Sequence, residues 1–424
     1  MKTIPHFHIS NPFLRMAVIF GLLLSVYLSI GVAAYLVPDA PVRRHVEQTL
    51  RSGDLAEDYP KAVIRYNNDS QDQYTLDNFT DALILNQAML LRNEGLKTIL
   101  LLPRYQEDLK QSINLHRLME GSDGDGRIIH YARYWHGNTF VARLLLSLTS
   151  YTGIRYLLYL LSSLLGLWCL LRLWRTADPA TALSIAAALL LVNAYVMQFS
   201  LQFAPVLLLS LGGIVWITYH PTSNSFVPFF VLGSLTAFLD LITVPSLTLG
   251  LPLVTLVAVR HDVNVRRGLR RVIYVSLWWL TGYTLTWVAK WGLATLITGE
   301  NIFADAYGQG SMWSEDGFSY LGDALASNLG LLHWKYVVVA VAILAVTALV
   351  RPYKGAWRIA VQYLPVAAVP FVYYLLMAHP AQHHAWFNYR ALATTVAALL
   401  TATASMVDWH KYNMLWKEMR NAKR

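Results

Sequence analysis

The sequence predicts an all-α membrane protein with about ten transmembrane helices and a large polar segment after the first of them. Three observations carry this prediction. Of the 424 residues, 55% are hydrophobic and 14% are charged, whereas soluble domains carry about 25% charged residues. Apolar stretches that can cross roughly 30 Å of hydrocarbon recur along the chain. Residues 38–153, which we name the first polar segment, separate the first such stretch from the others.

The apolar stretches define the predicted spans. Each has enough apolar residues to cross the membrane as a helix, although residues 226–260 have room only for two short helices. The first stretch has an apolar core longer than a secretory signal needs, and no small-residue cleavage site follows it, so we expect a retained helix. The predicted spans are residues 15–37, 154–173, 180–198, 201–219, 226–242, 244–260, 272–297, 336–352, 359–378 and 388–407.

The distribution of Lys and Arg predicts the orientation. Loops on the side of the N-terminus are basic, whereas the short loops near 199, 243 and 380–386 contain neither residue. Because short cytoplasmic loops are enriched in Lys and Arg, we expect both termini in the cytoplasm and residues 38–138 outside a plasma membrane. The net charge of +9 comes largely from these loops and the tail, so it does not indicate a nucleic-acid partner.

The predicted organisation has four parts. They are residues 1–37, a cytoplasmic N-terminus and first span; 38–153, the first polar segment with amphipathic surface helices; 154–407, a helix bundle with an outer loop at 298–335; and 408–424, a basic cytoplasmic tail.

Periodicity predicts helices within the first polar segment. Val42, Val46 and Leu50 recur at helical spacing, which is typical of an amphipathic helix at the membrane interface. Residues 76–90 carry a second apolar stripe, and residues 140–148 a third, with Arg143 on its opposite face. The apolar run 99–103 is too short to span and favours a buried strand.

Asp77 and Asp81 are the candidate catalytic residues. Their spacing places both carboxylates on one face of a helix. A partly desolvated carboxylate near a membrane surface can act as a general base towards an acceptor hydroxyl. The structural alternative is a helix start in which Thr75 is the N-cap and the acids interact favourably with the helix dipole. The sequence leaves both interpretations open.

Arg133, Trp135 and His136, at the end of the first polar segment, are candidates for binding a sugar or an acceptor. Aromatic rings stack on sugar faces, and arginine and histidine donate hydrogen bonds to anionic or sugar ligands. The alternative is that the aromatic residues belong to the belt found at a membrane interface.

Arg390, His383 and His384, at the start of the last predicted span, are candidates for binding a lipid phosphate. A guanidinium binds phosphate with two parallel hydrogen bonds. The alternative is an arginine that snorkels to the interface or pairs with an acid. Zinc chelation with His379 is disfavoured by Pro380 and by the lack of a carboxylate ligand, and the Asp-rich loop 121–126 lacks the closing Glu of an EF-hand. No metal site is predicted.

The layout resembles the GT-C superfamily of membrane glycosyltransferases. The shared features are a first span, a large outer loop with surface helices and an acidic motif, and then a bundle of spans. The local match runs through Tyr134-Trp135-His136-Gly137-Asn138-Thr139-Phe140 and on through 141–146, 153–158 and 161–167. It is similar to a pattern in which a His-Pro-Pro-like element precedes a surface helix, with His136-Gly137-Asn138 in its place here. Asp77-Asn78-Phe79-Thr80-Asp81 and Asn388-Tyr389-Arg390 are also similar to a group of bacterial multi-pass proteins.

The resemblance implies a polyprenyl-phosphate-linked sugar as donor, an envelope glycan or glycolipid as acceptor, and inverting transfer on the outer face. It also implies that Asp77 or Asp81 is the base and that Arg390, His383 and His384 hold the departing lipid phosphate. No cofactor is assigned, and a divalent cation is left open.

Two other classes of function remain open from the sequence. A lipid or polysaccharide transporter or flippase would need polar groups along a path through the bundle, and beyond Asp240 and Lys290 few charges lie in mid-span. A non-enzymatic scaffold of an envelope-assembly complex would use the first polar segment as a docking surface.

Overall fold

The chain folds as a predominantly α-helical protein. The structure, a computed structural model, describes residues 11–55, 61–62, 75–121, 126–220, 226–314, 317–350 and 352–409. The centre of the Asp-rich loop and nearly all of the basic tail, residues 122–125 and 410–424, lie outside the described residues, as do residues 1–10.

The first span and the first polar segment contain six α-helices, a 3₁₀ segment at Gly95–Lys97 and four short strands among the described residues. In chain order the α-helices and strands are α1 (Pro12–Leu36), α2 (Asp39–Ser52), β1 (Lys61–Ala62), β2 (Thr75–Leu76), α3 (Asn78–Leu90), α4 (Thr98–Leu101), β3 (Pro103–Gln106), α5 (Gln111–Glu120), β4 (Arg127–His130) and α6 (Gly137–Leu146). The strands form two antiparallel pairs, β1 with β2 and β3 with β4, and Pro103 is paired with His130 in the second.

The rest of the described chain is helical, with 3₁₀ segments at Ala194–Phe199 and Tyr389–Leu392. Its α-helices are α7 (Tyr151–Thr176), α8 (Pro179–Leu191), α9 (Ala204–Tyr219), α10 (Phe226–Leu239), α11 (Ser246–Arg260), α12 (Val265–Thr298), α13 (Ile302–Ser314), α14 (Gly317–Gly330), α15 (Trp334–Val350), α16 (Trp357–Ala360), α17 (Tyr363–Ala367), α18 (Val369–Leu376), α19 (Ala378–His383), α20 (Ala385–Asn388) and α21 (Ala393–Ser405).

Several helices are suited to a membrane, so the chain is a helical membrane protein. Among the described residues, α1, α7, α12 and the stretch Trp357–Leu376 are long and apolar enough to cross a bilayer. A fifth crossing is formed if the pair Ser319–Gly330 and Trp334–Val350, bent by 72°, counts as one span. Helices α8, α9, α10 and α11 are apolar but shorter. The predicted helices at 15–37 and 154–173 are confirmed, whereas the number of ten spans stays a prediction.

Helices α1, α4, α6 and α10 meet in a compact core. Tyr27 of α1 stacks on Phe238 of α10 with 4.0 Å between ring centroids, and its hydroxyl lies 2.8 Å from that of Ser234. A β-carbon on Gly31 would lie 2.5 Å from the side chain of Ile99. The absence of a side chain at Gly31 therefore lets the first polar segment pack directly on the first span.

Arg143 corrects one prediction about the first polar segment. The sequence places it on the face of an amphipathic helix opposite the apolar stripe, but the structure buries its side chain completely. The guanidinium donates to the carbonyl oxygens of Ala34 at 2.9 Å and Val37 at 2.7 Å, to the carbonyl of Ala88, and to the Asp39 carboxylate at 2.5 Å. The burial is explained because the guanidinium finds acceptors on all sides, namely carbonyls near the C-terminal ends of α1 and α3 and a carboxylate at the start of α2. Arg143 therefore joins α1, α2, α3 and α6.

Three further predictions need correction. The run 99–103 is not a strand throughout, because α4 ends at Leu101 and the strand begins at Pro103. The predicted outer loop 298–335 contains α13 and α14, in which packing outweighs the loop-like Gly-rich composition: Ile302 is buried and Asn328 donates to the carbonyl of Ala381 at 2.8 Å. The predicted span 180–198 is interrupted at Asn193, which has a left-handed backbone with φ of 54°.

Candidate functional site

Asp77 is the N-cap of α3, in place of the Thr75 that the sequence predicts. One carboxylate oxygen accepts a hydrogen bond from the backbone N–H of Thr80 at 2.9 Å, and the other accepts from the Thr80 hydroxyl at 2.6 Å. The side chain is 4% exposed. Burial raises the pKa of Asp77 to about 7, because it outweighs the two Thr80 hydrogen bonds and is reinforced by the charge of Asp81. At neutral pH the carboxyl group is therefore divided between its protonated and ionised forms.

Asp81 lies one turn further along α3 and is fully buried. It accepts four hydrogen bonds: from the Tyr151 hydroxyl at 2.7 Å, the Ser200 hydroxyl at 3.0 Å and the backbone N–H groups of Leu201 and Gln202 at 3.2 Å each. Burial raises the pKa of Asp81 to about 6, although these hydrogen bonds oppose the shift. Because its oxygens are engaged by α7 and by the residues before α9, Asp81 is suited to holding the site together.

Arg390 lies against the same segment that holds Asp81. Its guanidinium carbon is 5.5 Å from the ring centroid of Phe203 and 5.4 Å from that of Tyr389. The Tyr389 hydroxyl donates to the carbonyl of Val192 at 2.9 Å and accepts from the Asn193 amide at 3.0 Å. The segment 192–203 therefore contacts both the Asp81 carboxylate and the buried Arg390.

The two histidines grouped with Arg390 in the sequence have different surroundings. Arg390 is fully buried, whereas His383 and His384 are exposed. The His383 ring lies 4.3 Å from that of His379, and the His384 ring stacks on Phe387 at 5.3 Å. Of the three predicted phosphate-binding residues, Arg390 is thus the one placed beside the segment that holds Asp81.

Arg133, Trp135 and His136 form part of a packed aromatic region. Arg133 pairs with the Asp305 carboxylate at 3.2 Å, and Trp135, 1% exposed, donates from its indole N–H to the carbonyl of Thr286 at 2.7 Å. The prediction that Trp135 presents its ring to a sugar is therefore wrong for this conformation, because that ring fills the core.

His136 has an unusual environment. Its backbone is left-handed, with φ of 54°, and its ring lies 5.0 Å from that of Tyr131. Burial and then the charge of Lys290 hold the pKa of His136 well below its usual range, against a favourable contact with the Tyr131 backbone. The imidazole is therefore neutral near pH 7, which suits a hydrogen bond with a neutral hydroxyl better than binding of an anion.

An apolar groove of about 230 Å³ lies beside Asp81. Its walls come from α6, α7, α9 and the end of α10, and Leu201, whose N–H bonds Asp81, lines it. Asn138 is the one polar residue in its described lining, and the Asn138 amide nitrogen has no hydrogen-bond partner among the described residues.

Sequence reasoning missed a set of buried amides around the Asp pair. Each is deeply buried and has at least one polar side-chain atom that forms no hydrogen bond within the described part of the chain. They are Asn78, Gln87, Asn138 and Gln202. Unpaired buried polar atoms are uncommon and mark places for ordered water or ligand groups. The sequence feature that could indicate such a residue is an amide within an apolar helical stripe, as at Gln87 between Leu83 and Leu90.

The described residues contain no group of three or more His, Cys, Asp or Glu arranged to hold a metal ion. The chain matches no protein-family model, no curated protein and no solved structure.

Proposed function

We propose that this chain is an integral membrane glycosyltransferase of GT-C-like architecture that moves a sugar from a polyprenyl-phosphate-linked donor to a cell-envelope acceptor on the outer face. The observation that carries the proposal is Asp77, a buried carboxyl group with a pKa raised to about 7. A general base is most effective when its pKa lies near the working pH.

The reaction assigns a separate role to each acid. Asp77 takes the proton of an acceptor hydroxyl while that oxygen attacks the anomeric carbon of the sugar. The bond between this carbon and the phosphate oxygen breaks, and polyprenyl phosphate leaves with the bonding electron pair. Asp81 keeps α3 in position against α7 and the segment 192–203 through its four hydrogen bonds.

Two features support binding of the lipid end of the donor. The apolar groove that contains Leu201 has walls compatible with a prenyl chain. Arg390 supplies positive charge near that groove, since Phe203 contacts it and lies two residues beyond Leu201. A fixed cation that meets the departing phosphate stabilises the charge that develops there. In this proposal the exposed His383 and His384 assist Arg390 with the phosphate, and Arg133 and His136 bind the acceptor.

The proposed topology has ten spans. They are the four long spans, the bent pair α14 and α15, the four shorter apolar helices α8 to α11, and α21 with the turn before it. With both termini cytoplasmic, the first polar segment and Asp77 lie outside, where lipid-linked sugars of the envelope are used.

A matched pair of variants tests the base. Asp178 caps α8 as Asp77 caps α3, accepting from the N–H of Thr181 at 2.7 Å and from its hydroxyl at 2.8 Å. Asparagine caps helices about as well as aspartate, so Asp77→Asn keeps the cap and loses the base. In membranes supplied with a radiolabelled polyprenyl-phosphate sugar, Asp77→Asn should abolish transfer to envelope glycan, whereas Asp178→Asn should not.

The outcome also separates the rival functions. Full transfer by Asp77→Asn, Asp81→Asn and the double variant would show that neither acid is the base. A scaffold would tolerate Asp77→Asn in every assay of envelope assembly. A transporter or flippase would depend on Asp240 and Lys290, which the structure pairs with backbone groups: Asp240 accepts from the Thr243 N–H at 3.1 Å, and Lys290 donates to the carbonyl of Leu100 at 2.7 Å.

A further inference from the structure

A second cavity lies at the other end of the bundle from Asp77 and Asp81. The 26 residues of α7 make a helix about 40 Å long at 1.5 Å per residue. Tyr151 at its start bonds Asp81, whereas Asp178, two residues after its end, lines the second cavity. The cavity has a volume of about 390 Å³. It is lined by the start of α8, the end of α11, α16, the start of α17 and the end of α21, with the residues that flank them. No step of the proposed transfer uses it.

Two cations that line this cavity have no ion-pair partner among the described residues. Lys354 and Arg358 line it, both are exposed, and neither forms an ion pair with another described residue. Of the two acids in the lining, Asp178 is engaged by Thr181 as the cap of α8, and Asp408 also has an interaction partner. Both acids are held by other groups of the protein, so the side chains of Lys354 and Arg358 are the ones available to an anionic ligand.

The wall of the cavity carries a hydroxyl group that the protein does not use. Thr401 of α21 is 2% exposed, lines the cavity, and its hydroxyl has no hydrogen-bond partner among the described residues. A helical threonine commonly bonds a carbonyl one turn earlier, as Thr403 does with Leu399 at 2.8 Å. A buried hydroxyl without a partner is unfavourable, and a ligand oxygen in the cavity would satisfy it.

The rim of the cavity has the character of a membrane interface. Tyr353 and Trp409 are 54% and 40% exposed there, and such rings are enriched where hydrocarbon meets water. Immediately before the rim, Leu349 and Val350 of α15 are 82% and 69% exposed. An apolar surface suited to acyl chains therefore leads to the mouth of this cavity.

We propose that this cavity binds the phosphate headgroup of a membrane phospholipid. Lys354 and Arg358 contact the phosphate oxygens, the Thr401 hydroxyl bonds a deeper oxygen of the headgroup, and the acyl chains follow α15. Arginine and lysine supply the donors that phosphate requires.

Titration of the full chain in neutral detergent with phosphatidylglycerol, followed by native mass spectrometry, tests the site. The double variant Lys354→Gln, Arg358→Gln should weaken lipid binding about thirtyfold, since the two basic residues near anionic lipid together contribute about 2 kcal/mol. The matched control is Arg266→Gln, Arg267→Gln, which removes the same charge from exposed positions of α12 outside the described lining and should leave affinity unchanged. Equal affinity of the cavity variant and the wild type would overturn the proposal.

Glycerol phosphate distinguishes a lipid from a soluble ligand. The shared chemistry is the phosphate group, so a lipid site should bind glycerol phosphate much more weakly than phosphatidylglycerol. Equal binding of the two would assign the cavity to a soluble phosphate ester and overturn the lipid assignment.

Thr401→Val tests the deeper contact. Without lipid, the melting temperature should stay unchanged or rise, because the variant removes a buried unpaired hydroxyl. With phosphatidylglycerol, the lipid-induced rise in melting temperature should be smaller than in the wild type. A lower melting temperature without lipid, together with an unchanged lipid effect, would show that the hydroxyl serves the protein's own packing.

Discussion

The hydroxyl of Tyr151 donates a 2.7 Å hydrogen bond to the carboxylate of Asp81, which is 70 residues earlier in the chain. This bond joins the first polar segment to the helix that follows it. Because both groups are buried, the strength of the bond depends little on salt.

Tyr151→Phe should therefore lower the free energy of unfolding by about 2 kcal/mol, the cost of losing a hydrogen bond to a buried charged group. The measurement is thermal unfolding in detergent. Tyr159 on the same helix is the control, because it stacks on Phe199 and its hydroxyl makes no hydrogen bond with a described residue. An equal loss for Tyr159→Phe would contradict the special role of the Tyr151 bond.

The pH dependence of transfer should report Asp77. If its ionised form is the base, kcat/KM rises with pH through about 7, where the carboxyl group loses its proton. The Thr80 hydroxyl favours the ionised form, so Thr80→Val should raise the pKa of Asp77 further and move this rise to higher pH. Thr181→Val makes the same change beside Asp178 and should leave the pH profile of kcat/KM unchanged. A profile that Thr80→Val does not move would exclude Asp77 as the titrating group.

The stabilisation that protonated His130 provides should be lost as pH rises above neutral. Its ring nitrogens lie 2.8 Å from the carboxylate of Glu300 and 3.1 Å from that of Glu94. Burial opposes protonation, but the two carboxylates outweigh it and raise the pKa of His130. Because the pKa is higher in the folded state, the stabilisation is complete below the unfolded value of about 6.5 and is lost as pH rises through the folded value.

The corresponding measurement is melting temperature against pH for the wild type and His130→Gln. The difference between the two curves should shrink as pH rises above neutral. His45 is the control, since its ring bonds the carbonyl of Leu146 at 2.7 Å rather than a carboxylate. A difference that stays constant with pH would show that His130 acts only through packing.

Arg143→Met should be strongly destabilising. It removes a buried cation, leaves the carbonyls of Val37 and Ala88 without this donor and takes one of the two donors from the Ala34 carbonyl. Breaking a buried charged network costs about 3–5 kcal/mol. Arg117→Met removes the more exposed pair with Glu107, for which about 1 kcal/mol or less is expected. Comparison of the yields of folded protein in membranes checks the difference, and equal yields would contradict it.

The sequence predicts local features of this fold and misses its distant contacts. Hydropathy locates the long helices, and the spacing of Val42 and Val46 predicts α2, which buries both side chains. In Asp77-Asn78-Phe79-Thr80 the N-cap of α3 is Asp77, whereas the sequence predicts Thr75. The partners of Asp81 come from residues 70 to 121 positions away, so no local pattern indicates them. The same applies to Arg143, whose acceptors are helix ends that only the folded chain brings together.

The Arg143 junction has a consequence for biosynthesis. The guanidinium that completes the end of the first helix is made 109 residues after Ala34. Until α6 has been synthesised, the Val37 carbonyl at that end has to be hydrated or held by other factors. The first membrane helix and the first polar segment should therefore reach their final arrangement together, after translation has passed Arg143. A nascent chain arrested before that point should remain sensitive to protease, whereas one arrested after α7 has emerged should be protected.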